Sequence, residues 1–216
     1  MSDRSFVSPE LRARVRLVAV PIALLLGKLG LTPNALTIVG FLGTCLAAVA
    51  AAGQAWVLAG VLVLVFGIFD LFDGALARAT GQASRFGAFL DSTLDRTGES
   101  LVLAGVAFGC ATGGFAVGAG LAALALTFAS VVTYTRAKAE ALGVHGEVGI
   151  APRPERLVVL AAGLVLAGVL GGVGQVSEIR AGSIALALAL GIIAVLSAIT
   201  IIQRILHVRQ QLERTQ

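Results

Sequence analysis

Charged residues are scarce in this chain, and their scarcity excludes a soluble globular domain. Only 13% of its 216 residues are Asp, Glu, Lys or Arg, whereas a soluble domain has about 25%. Apolar residues make up 57% of the chain, and the mean hydropathy is +0.96. The apolar segments follow one another without a polar linker. The composition therefore predicts an integral membrane protein with a single domain across residues 1–216.

Cysteine and histidine are also scarce, which leaves few ways to build a disulfide or a soft-metal site. The two cysteines, Cys45 and Cys110, lie inside apolar runs, and their spacing supports neither a disulfide nor a metal role. The two histidines, His145 and His207, each stand alone and are predicted to lie at a surface or interface. Neither residue type indicates a functional site.

Six apolar runs are each long enough for a membrane-crossing helix, which takes about 20 mostly apolar residues. The predicted spans are Leu36–Ala52, Ala55–Leu76, Phe86–Cys110, Phe115–Ala139, Leu157–Gly172 and Gly182–Leu206. The segment Pro9–Leu29 begins basic, turns apolar and contains Pro21, which is typical of an amphipathic helix at the membrane interface. A seventh span is the alternative for that segment. The predicted fold is all-α: an integral membrane bundle of six transmembrane helices after an N-terminal interfacial amphipathic helix.

The basic residues are divided unevenly between the two ends of the predicted spans. Of the 16 Lys and Arg residues, only Arg180 falls in the first, third or fifth connection, and the other 15 fall at the opposite end. Because basic residues concentrate on the cytoplasmic side, this partition predicts cytoplasmic termini, and an odd number of spans would break it. Residues 1–32 are then a cytoplasmic or juxtamembrane segment, residues 33–206 the spans, and residues 207–216 a cytoplasmic tail.

Four aspartates stand where the second predicted span ends and the third begins: Asp70, Asp73, Asp91 and Asp95. Unpaired carboxylates in or beside a bilayer are costly, so they are interpreted first as functional. Four of them within 26 residues repel one another and need cations. The natural cations for oxygen ligands are Mg²⁺, Mn²⁺ and Ca²⁺. The sequence thus predicts a divalent-metal site near the cytoplasmic interface.

Helical spacing arranges these aspartates in two stripes that can face each other. The first two are three residues apart and the last two are four apart, so each pair shares a helix face. Three small residues lie in the same stripes: Gly74, Ala77 and Gly87. Because they are small, they leave room for a ligand to lie against the backbone.

One or two divalent ions between such stripes indicate phosphoryl transfer. The ions would neutralise the leaving group, and a spare carboxylate could take the proton of an attacking hydroxyl. The Arg78 guanidinium is suited to phosphate oxygens. The alternative is a set of ion pairs, in which Asp95 pairs with Arg96 or Arg85 and Asp73 pairs with Arg78.

The spacing of these residues resembles the signature of the CDP-alcohol phosphotransferases. The pattern Asp-x-x-Asp-Gly-x-x-Ala-Arg, eight further residues and then Gly-x3-Asp-x3-Asp matches at every fixed position between Asp70 and Asp95. That family also resembles the predicted six-helix bundle with its interfacial helix. The resemblance implies an enzyme that cleaves the pyrophosphate of a CDP-linked lipid or alcohol. CMP would be released, and the phosphoryl group would join an acceptor hydroxyl.

The resemblance also implies roles for individual residues. Mg²⁺ or Mn²⁺, as two ions, would be bound by Asp70, Asp73, Asp91 and Asp95, and Asp95 would also be the general base. The CDP-lipid would be bound by Asp70, Gly74, Ala77, Arg78 and Ser84, with Ala77 lining the cytidine pocket. Pro33, Asn34 and Thr37 resemble the nucleotide-contacting turn of the family. The resemblance further implies a homodimer.

The acceptor is indicated by two further features. The run from Ser84 to Arg96 resembles the phosphatidylinositol phosphate synthases of actinobacteria and the related archaeal inositol-lipid enzymes. Four basic residues end the fourth predicted span and begin the fifth: Arg136, Lys138, Arg153 and Arg156. Clustered cations suit a phosphorylated polyol such as inositol 1-phosphate, and glycerol 3-phosphate would fit them too. The alternative is that they set topology and meet anionic lipid heads.

A function of another class would be a cation-coupled membrane carrier that uses the acids as its ion site. Carriers usually place such sites near the bilayer midplane between internal repeats, whereas here the acids lie at one side and no repeat is seen. The favoured partners are therefore a CDP-lipid, a phosphorylated polyol and membrane lipids, without nucleic acid. The pairs Gly105-x3-Gly109 and Gly168-x3-Gly172 permit close helix packing, either within the chain or in a dimer.

Overall fold

The computed structural model describes residues 20–174 and 180–213, and all regular structure in those ranges is helical. A helical stretch at residues 20–28, here α1, is followed by seven longer helices. These are α2 (Pro33–Ala52), α3 (Trp56–Gly67), α4 (Phe69–Ala79), α5 (Arg85–Thr112), α6 (Ala116–Ala141), α7 (Arg153–Val169) and α8 (Ala181–Glu213). The all-α class is confirmed. Most of the predicted interfacial helix, residues 9–19, lies outside the described residues.

Within the described ranges, four helical segments are long and apolar enough to cross a membrane. They are Pro33–Ala52, Trp56–Ala79, Ala116–Ala141 and Ala181–Glu213. The helix α5 differs from them because three acids, Asp91, Asp95 and Glu99, stand between its seventh and fifteenth residues, and α7 is only 17 residues long. The structure thus supports a membrane protein, with four of the six predicted spans identified by length and apolarity.

The predicted second span is found as the candidate span Trp56–Ala79, but it is not one unbroken helix. It divides at Ile68 into α3 and α4. Near the break, the Leu71 amide donates to the Ile68 carbonyl, a tighter bond to the third residue back instead of the fourth. Asp70 therefore lies in the first turn of a separate helix, α4.

Two glycines of α5 bring its backbone against that of α2. A Cβ atom added to Gly105 would lie 2.3 Å from the Ala48 carbonyl oxygen, and one added to Gly109 would lie 2.2 Å from that of Ala51. Side chains at these positions would push the helices apart, which is why small residues occur where membrane helices pack closely. The first predicted glycine pair thus serves packing within the chain, and it fixes the second half of α5 beside the end of α2.

Capping residues set where α2 and α5 begin. Thr32 caps α2 by accepting a hydrogen bond from the Ala35 amide, and Ser84 caps α5 by accepting one from the Gly87 amide. The main apolar core lies between the helices and includes Val102, Val106 and Leu164. Polar residues are thereby left together at the end of the bundle where α2, α5 and α7 begin.

Candidate active site

Three of the four aspartates meet at this end of the bundle. A carboxylate oxygen from each of Asp70, Asp91 and Asp95 lies within 4.8 Å of the other two, and all three residues are partly buried. Asp91 and Asp95 are one turn apart on α5, and Asp70 reaches them from α4. We call these three residues the acid trio.

The acid trio has the donor chemistry that Mg²⁺ or Mn²⁺ prefers. All of its ligand atoms are carboxylate oxygens, the kind of donor that such hard cations bind. The Asp91 Oδ1 atom is buried and has no hydrogen-bond partner within the described residues. A buried carboxylate oxygen without a donor is costly unless a cation satisfies it. The residues present therefore fit a divalent ion.

Asp73 lies beside the acid trio and has partners of its own. Only 5% of the residue is exposed. Its Oδ2 atom accepts a hydrogen bond of 2.6 Å from the Thr37 hydroxyl, and its Oδ1 atom accepts one of 2.5 Å from the Gly74 amide. The structure thus links α2 to α4 through Thr37 and Asp73, and Asp73 as a fourth metal ligand stays a prediction.

Replacing Thr37 with Val is expected to lower activity with a CDP-linked lipid by about 10- to 150-fold, because a hydrogen bond to a charged group contributes about 1.5–3 kcal/mol. The valine methyl groups fill the same space but cannot donate to Asp73. The measurement is CMP release from labelled CDP-lipid in detergent or nanodiscs. The matched control is Thr37→Ser, which keeps the hydroxyl and should retain most activity. Equal losses in both variants would contradict the importance of this bond.

Arg153 extends from the first turn of α7 into the acid trio. Its Nη1 atom lies 2.5 Å from Asp70 Oδ2 and 2.5 Å from Asp95 Oδ2. Its Nη2 atom donates to the Asp95 backbone carbonyl at 3.3 Å. The sequence alternatives paired Asp95 with Arg96 or Arg85. Its partner in the structure is instead a residue 58 positions away.

Arg156 is placed differently from Arg153, although both stand in the first turn of α7. Its Nε and Nη2 atoms each lie 2.8 Å from a carboxylate oxygen of Glu99, and its Nη1 atom donates to the Ala151 carbonyl at 2.8 Å. The Arg156 and Glu99 side chains are only 4% and 6% exposed. This bidentate pair ties α7 to α5. The sequence predicts that Arg156 binds the acceptor phosphate together with Arg153. In the structure, Arg156 pairs with Glu99 and does not reach into the acid trio.

Glu99 is the residue that sequence reasoning missed. It stands four positions after Asp95 and continues the stripe of acids on α5. That spacing was a usable signal, because a third acid on one face of an apolar helix needs a partner as much as the first two do. The partner, Arg156, could have been inferred from the same argument.

The other predicted acceptor-binding residues lie near the end of α6. Arg136 contacts Glu140 at 2.9 Å and Glu147 at 3.1 Å, whereas Lys138 is exposed. Arg204 of α8, which the sequence analysis treated only as a topology signal, is buried and donates to the carbonyls of Val132 and Val148. The structure therefore does not join these residues to Arg153 in one cluster.

The residues predicted to bind the CDP moiety lie at the start of α2, in α4 (mostly its second half) and around the start of α5. A Cβ atom added to Gly87 would be 3.1 Å from both Asn34 Oδ1 and Ser84 Oγ, so those side chains converge there. Arg78 is exposed, and its guanidinium lies over Gly74, where an added Cβ would be 3.2 Å away. Two further residues are partly buried beside them: Pro33 and Ala77.

A pocket connects the acid trio with the interior of the bundle. Its polar lining is Thr37, Thr44, Asp70, Asp95, Glu99 and Arg153. Apolar side chains, including Val63, Val102 and Leu157, continue the lining. Carboxylates, a guanidinium and a hydroxyl in one apolar-walled pocket can bind cations and phosphate oxygens and can accept a proton.

Comparison with known proteins gives consistent matches over most of the chain. A family model described as CDP-alcohol phosphatidyltransferase matches residues 30–207. The chain is 38% identical over 210 residues to the archaetidylinositol phosphate synthase of Pyrococcus horikoshii, which covers 94% of this chain and 97% of that protein. It is 37% identical over 195 residues to the phosphatidylinositol phosphate synthase of Cutibacterium acnes, with 89% and 93% covered.

Solved structures of the phosphatidylinositol phosphate synthase of Mycobacterium tuberculosis resemble the fold. The structure with CDP-DAG bound has a TM-score of 0.77 and 31% identity, and the match covers 88% of this chain and 93% of that one. The structure in complex with manganese and citrate has a TM-score of 0.78 and 32% identity, with 88% of each chain covered.

Proposed function

The chain belongs to the CDP-alcohol phosphatidyltransferase family and is an enzyme of phospholipid biosynthesis, and we propose that it transfers the lipid phosphoryl group of a CDP-linked lipid to inositol 1-phosphate. The CDP-lipid is CDP-diacylglycerol or CDP-archaeol. The products are phosphatidylinositol phosphate, or its archaeal-lipid counterpart, and CMP. The curated relatives support this assignment through their names, and the relative from M. tuberculosis supports it through its bound CDP-DAG.

One observation on this chain carries the proposal: the Arg153 guanidinium reaches into the acid trio. It puts a group that can bind an acceptor phosphate beside carboxylates that can bind metal and take a proton. A carrier site would not need that combination. The family match also leaves the carrier hypothesis without support.

In this proposal the acid trio and Asp73 hold Mg²⁺ or Mn²⁺, as two ions. When bound, the ions would supply positive charge to the pyrophosphate and to the leaving CMP. The relative in complex with manganese supports a divalent metal. The all-oxygen donor set and the unpartnered Asp91 Oδ1 atom support the same assignment on this chain.

The chain's own residues then position the two substrates. Arg78, Ser84, Asn34 and Thr37 orient the CDP moiety, with Pro33, Gly74 and Ala77 leaving room for it and Ala77 facing the cytidine. Arg153 binds the acceptor phosphate, and Arg156, which pairs with Glu99, holds the first turn of α7 in place behind it.

The reaction itself requires one proton transfer and one displacement. Asp95 accepts the proton of the acceptor hydroxyl as the oxygen attacks the β-phosphorus, which carries the lipid. The new bond joins that oxygen to the phosphorus. The bond from the phosphorus to the bridging oxygen breaks, and CMP leaves with the electron pair.

The membrane arrangement follows from the helices and the charges. We place six spans at α2, α3 with α4, α5, α6, α7 and α8. The helix α5 has 28 residues and is about 42 Å long, and α7 packs against α3 and α8, which are candidate spans. Both termini and the acid trio then face the cytoplasm, because 15 of 16 basic residues lie at that end. Residues 1–216 form one domain, and the enzyme is a homodimer in this proposal.

An acceptor panel tests the proposed function. Purified enzyme with Mg²⁺ and one CDP-lipid is offered inositol 1-phosphate, glycerol 3-phosphate, free inositol and serine, and CMP release is measured. We expect release with inositol 1-phosphate to exceed that with free inositol or serine by at least about tenfold, because the Arg153 guanidinium and the acceptor phosphate form a charge-assisted contact. We also expect it to exceed that with glycerol 3-phosphate, because the similar enzymes are named as inositol phosphate synthases. Preference for glycerol 3-phosphate would assign phosphatidylglycerol phosphate synthesis, and preference for free inositol or serine would contradict the proposal.

A further inference from the structure

We infer that Arg153 and a divalent ion compete for the same oxygens of Asp70 and Asp95, so that ion binding releases Arg153 to the acceptor. This inference rests on the proposed function and goes beyond it, because it assigns an order to the binding events. Arg153 would hold the site together before the ion arrives and would then serve the second substrate.

The competition follows from the contacts of a single nitrogen atom. Nη1 of Arg153 lies 2.5 Å from an oxygen of Asp70 and 2.5 Å from an oxygen of Asp95. Mg²⁺ binds its oxygen ligands at about 2.0–2.1 Å, so an ion shared by these two carboxylates needs nearly the same position. Two cations cannot occupy it together, because they would overlap and repel each other. Ion binding at these oxygens therefore requires the guanidinium to move.

Arg153 is also able to move. Its side chain is 24% exposed, so the guanidinium has a path towards the end of the bundle. Its Nε atom is buried and makes no hydrogen bond within the described residues. A phosphate oxygen outside the acid trio could accept from that atom, which the carboxylates leave unused.

The base of the Arg153 side chain stays fixed while its tip moves. Three residues further along α7, Arg156 is held by both oxygens of Glu99 and by the Ala151 carbonyl. The first turn of α7 is therefore anchored to α5. The tip of the Arg153 side chain can therefore move while its base keeps its place beside the acid trio.

The first test measures Mn²⁺ binding to the purified full chain without substrates, by electron paramagnetic resonance. Arg153→Gln should lower the apparent Kd for Mn²⁺ by about tenfold or more, because it removes a competing unit charge. Arg209→Gln changes the same charge on an exposed residue of α8 that pairs with Glu213, and should leave the Kd unchanged. An unchanged or higher Kd in Arg153→Gln would overturn the inference.

Arg153→Gln could tighten Mn²⁺ binding simply because a positive charge near the ion is removed. The second test therefore measures whether Mn²⁺ releases the Arg153 side chain. Labelling of Arg153 by phenylglyoxal, measured by mass spectrometry, should rise several-fold when Mn²⁺ is added, and inositol 1-phosphate should then suppress it. Labelling that Mn²⁺ leaves unchanged or lowers would overturn the inference. Failure of the proposed function looks different: Mn²⁺ would still bind tighter to Arg153→Gln and raise the labelling of Arg153, but inositol 1-phosphate would neither suppress that labelling nor support CMP release. Asp91→Asn, which removes a carboxylate of the acid trio, should weaken Mn²⁺ binding in either case.

Discussion

Replacing Asp95 with Asn is expected to slow CMP release by about 10²–10⁴-fold, the usual contribution of a positioned general base. The asparagine has nearly the same shape but cannot accept the proton of the acceptor hydroxyl. Asp70 and Asp91 remain to bind metal, and Arg153 keeps its contact with Asp70. Binding of the CDP-lipid should therefore stay close to the wild-type level. The measurement pairs single-turnover CMP release with equilibrium binding of labelled CDP-lipid.

A residue half a turn earlier provides the control for this variant. Thr93 is exposed on the same helix, and its hydroxyl bonds to the Phe89 carbonyl of its own helix. Thr93→Ala should behave as the wild type in both assays. Rapid turnover in Asp95→Asn would place the base elsewhere. Loss of CDP-lipid binding in proportion to turnover would make Asp95 a metal ligand without a role as base.

Replacing Glu99 with Ala is expected to destabilise the fold by about 3–5 kcal/mol, the usual cost of leaving one member of a buried ion pair alone. Arg156 would keep the carbonyl of Ala151 but would lose both oxygens that neutralise it. Its side chain is only 4% exposed, so water cannot replace the lost partner without opening the contact between α5 and α7. Thermal unfolding in detergent, read by the loss of the folded peak on size-exclusion chromatography, measures this effect.

A double variant decides whether the pair is the cause. Glu99→Leu combined with Arg156→Met replaces both charges by apolar groups of similar size, and such replacements are often neutral. The double variant should therefore be more stable than Glu99→Leu or Arg156→Met alone. Additive losses would mean that the two residues act separately.

The helices could be predicted from the sequence because apolar runs of spanning length leave little choice of structure. The start of α5 follows from Ser84 as a capping residue, and the end of α2 follows from the turn at Gly53. The break at Ile68 could not be predicted, since the apolar run continues through it without Pro. The tighter hydrogen bond near Ile68 depends on how neighbouring helices pack against this segment, and the sequence around Ile68 does not show that packing.

The acid trio could be predicted in part because helical spacing fixes which residues share a face. The partners of those residues could not, because a long arginine side chain can reach several acids. Arg153 and Arg156 stand one turn apart, yet one enters the acid trio and the other binds Glu99. Asp73 likewise differs from Asp70 in its partners, because it accepts from the Thr37 hydroxyl of another helix and from the Gly74 amide, whereas Asp70 pairs with Arg153.

The contact of α5 with α2 at Gly105 and Gly109 is made by the two backbones, and it differs in this from the contact of α8 with the loop before α7. The residues proposed to bind the CDP-lipid lie at the start of α2 and α5, whose main chains touch near the opposite ends of the two helices. The loop before α7 is instead attached to α8 through side chains, with Gln211 bonding to His145 and Thr200 to Ala151. A substitution in that loop can therefore be absorbed by rotation of a side chain, whereas a residue larger than glycine at position 105 or 109 requires one whole helix to shift.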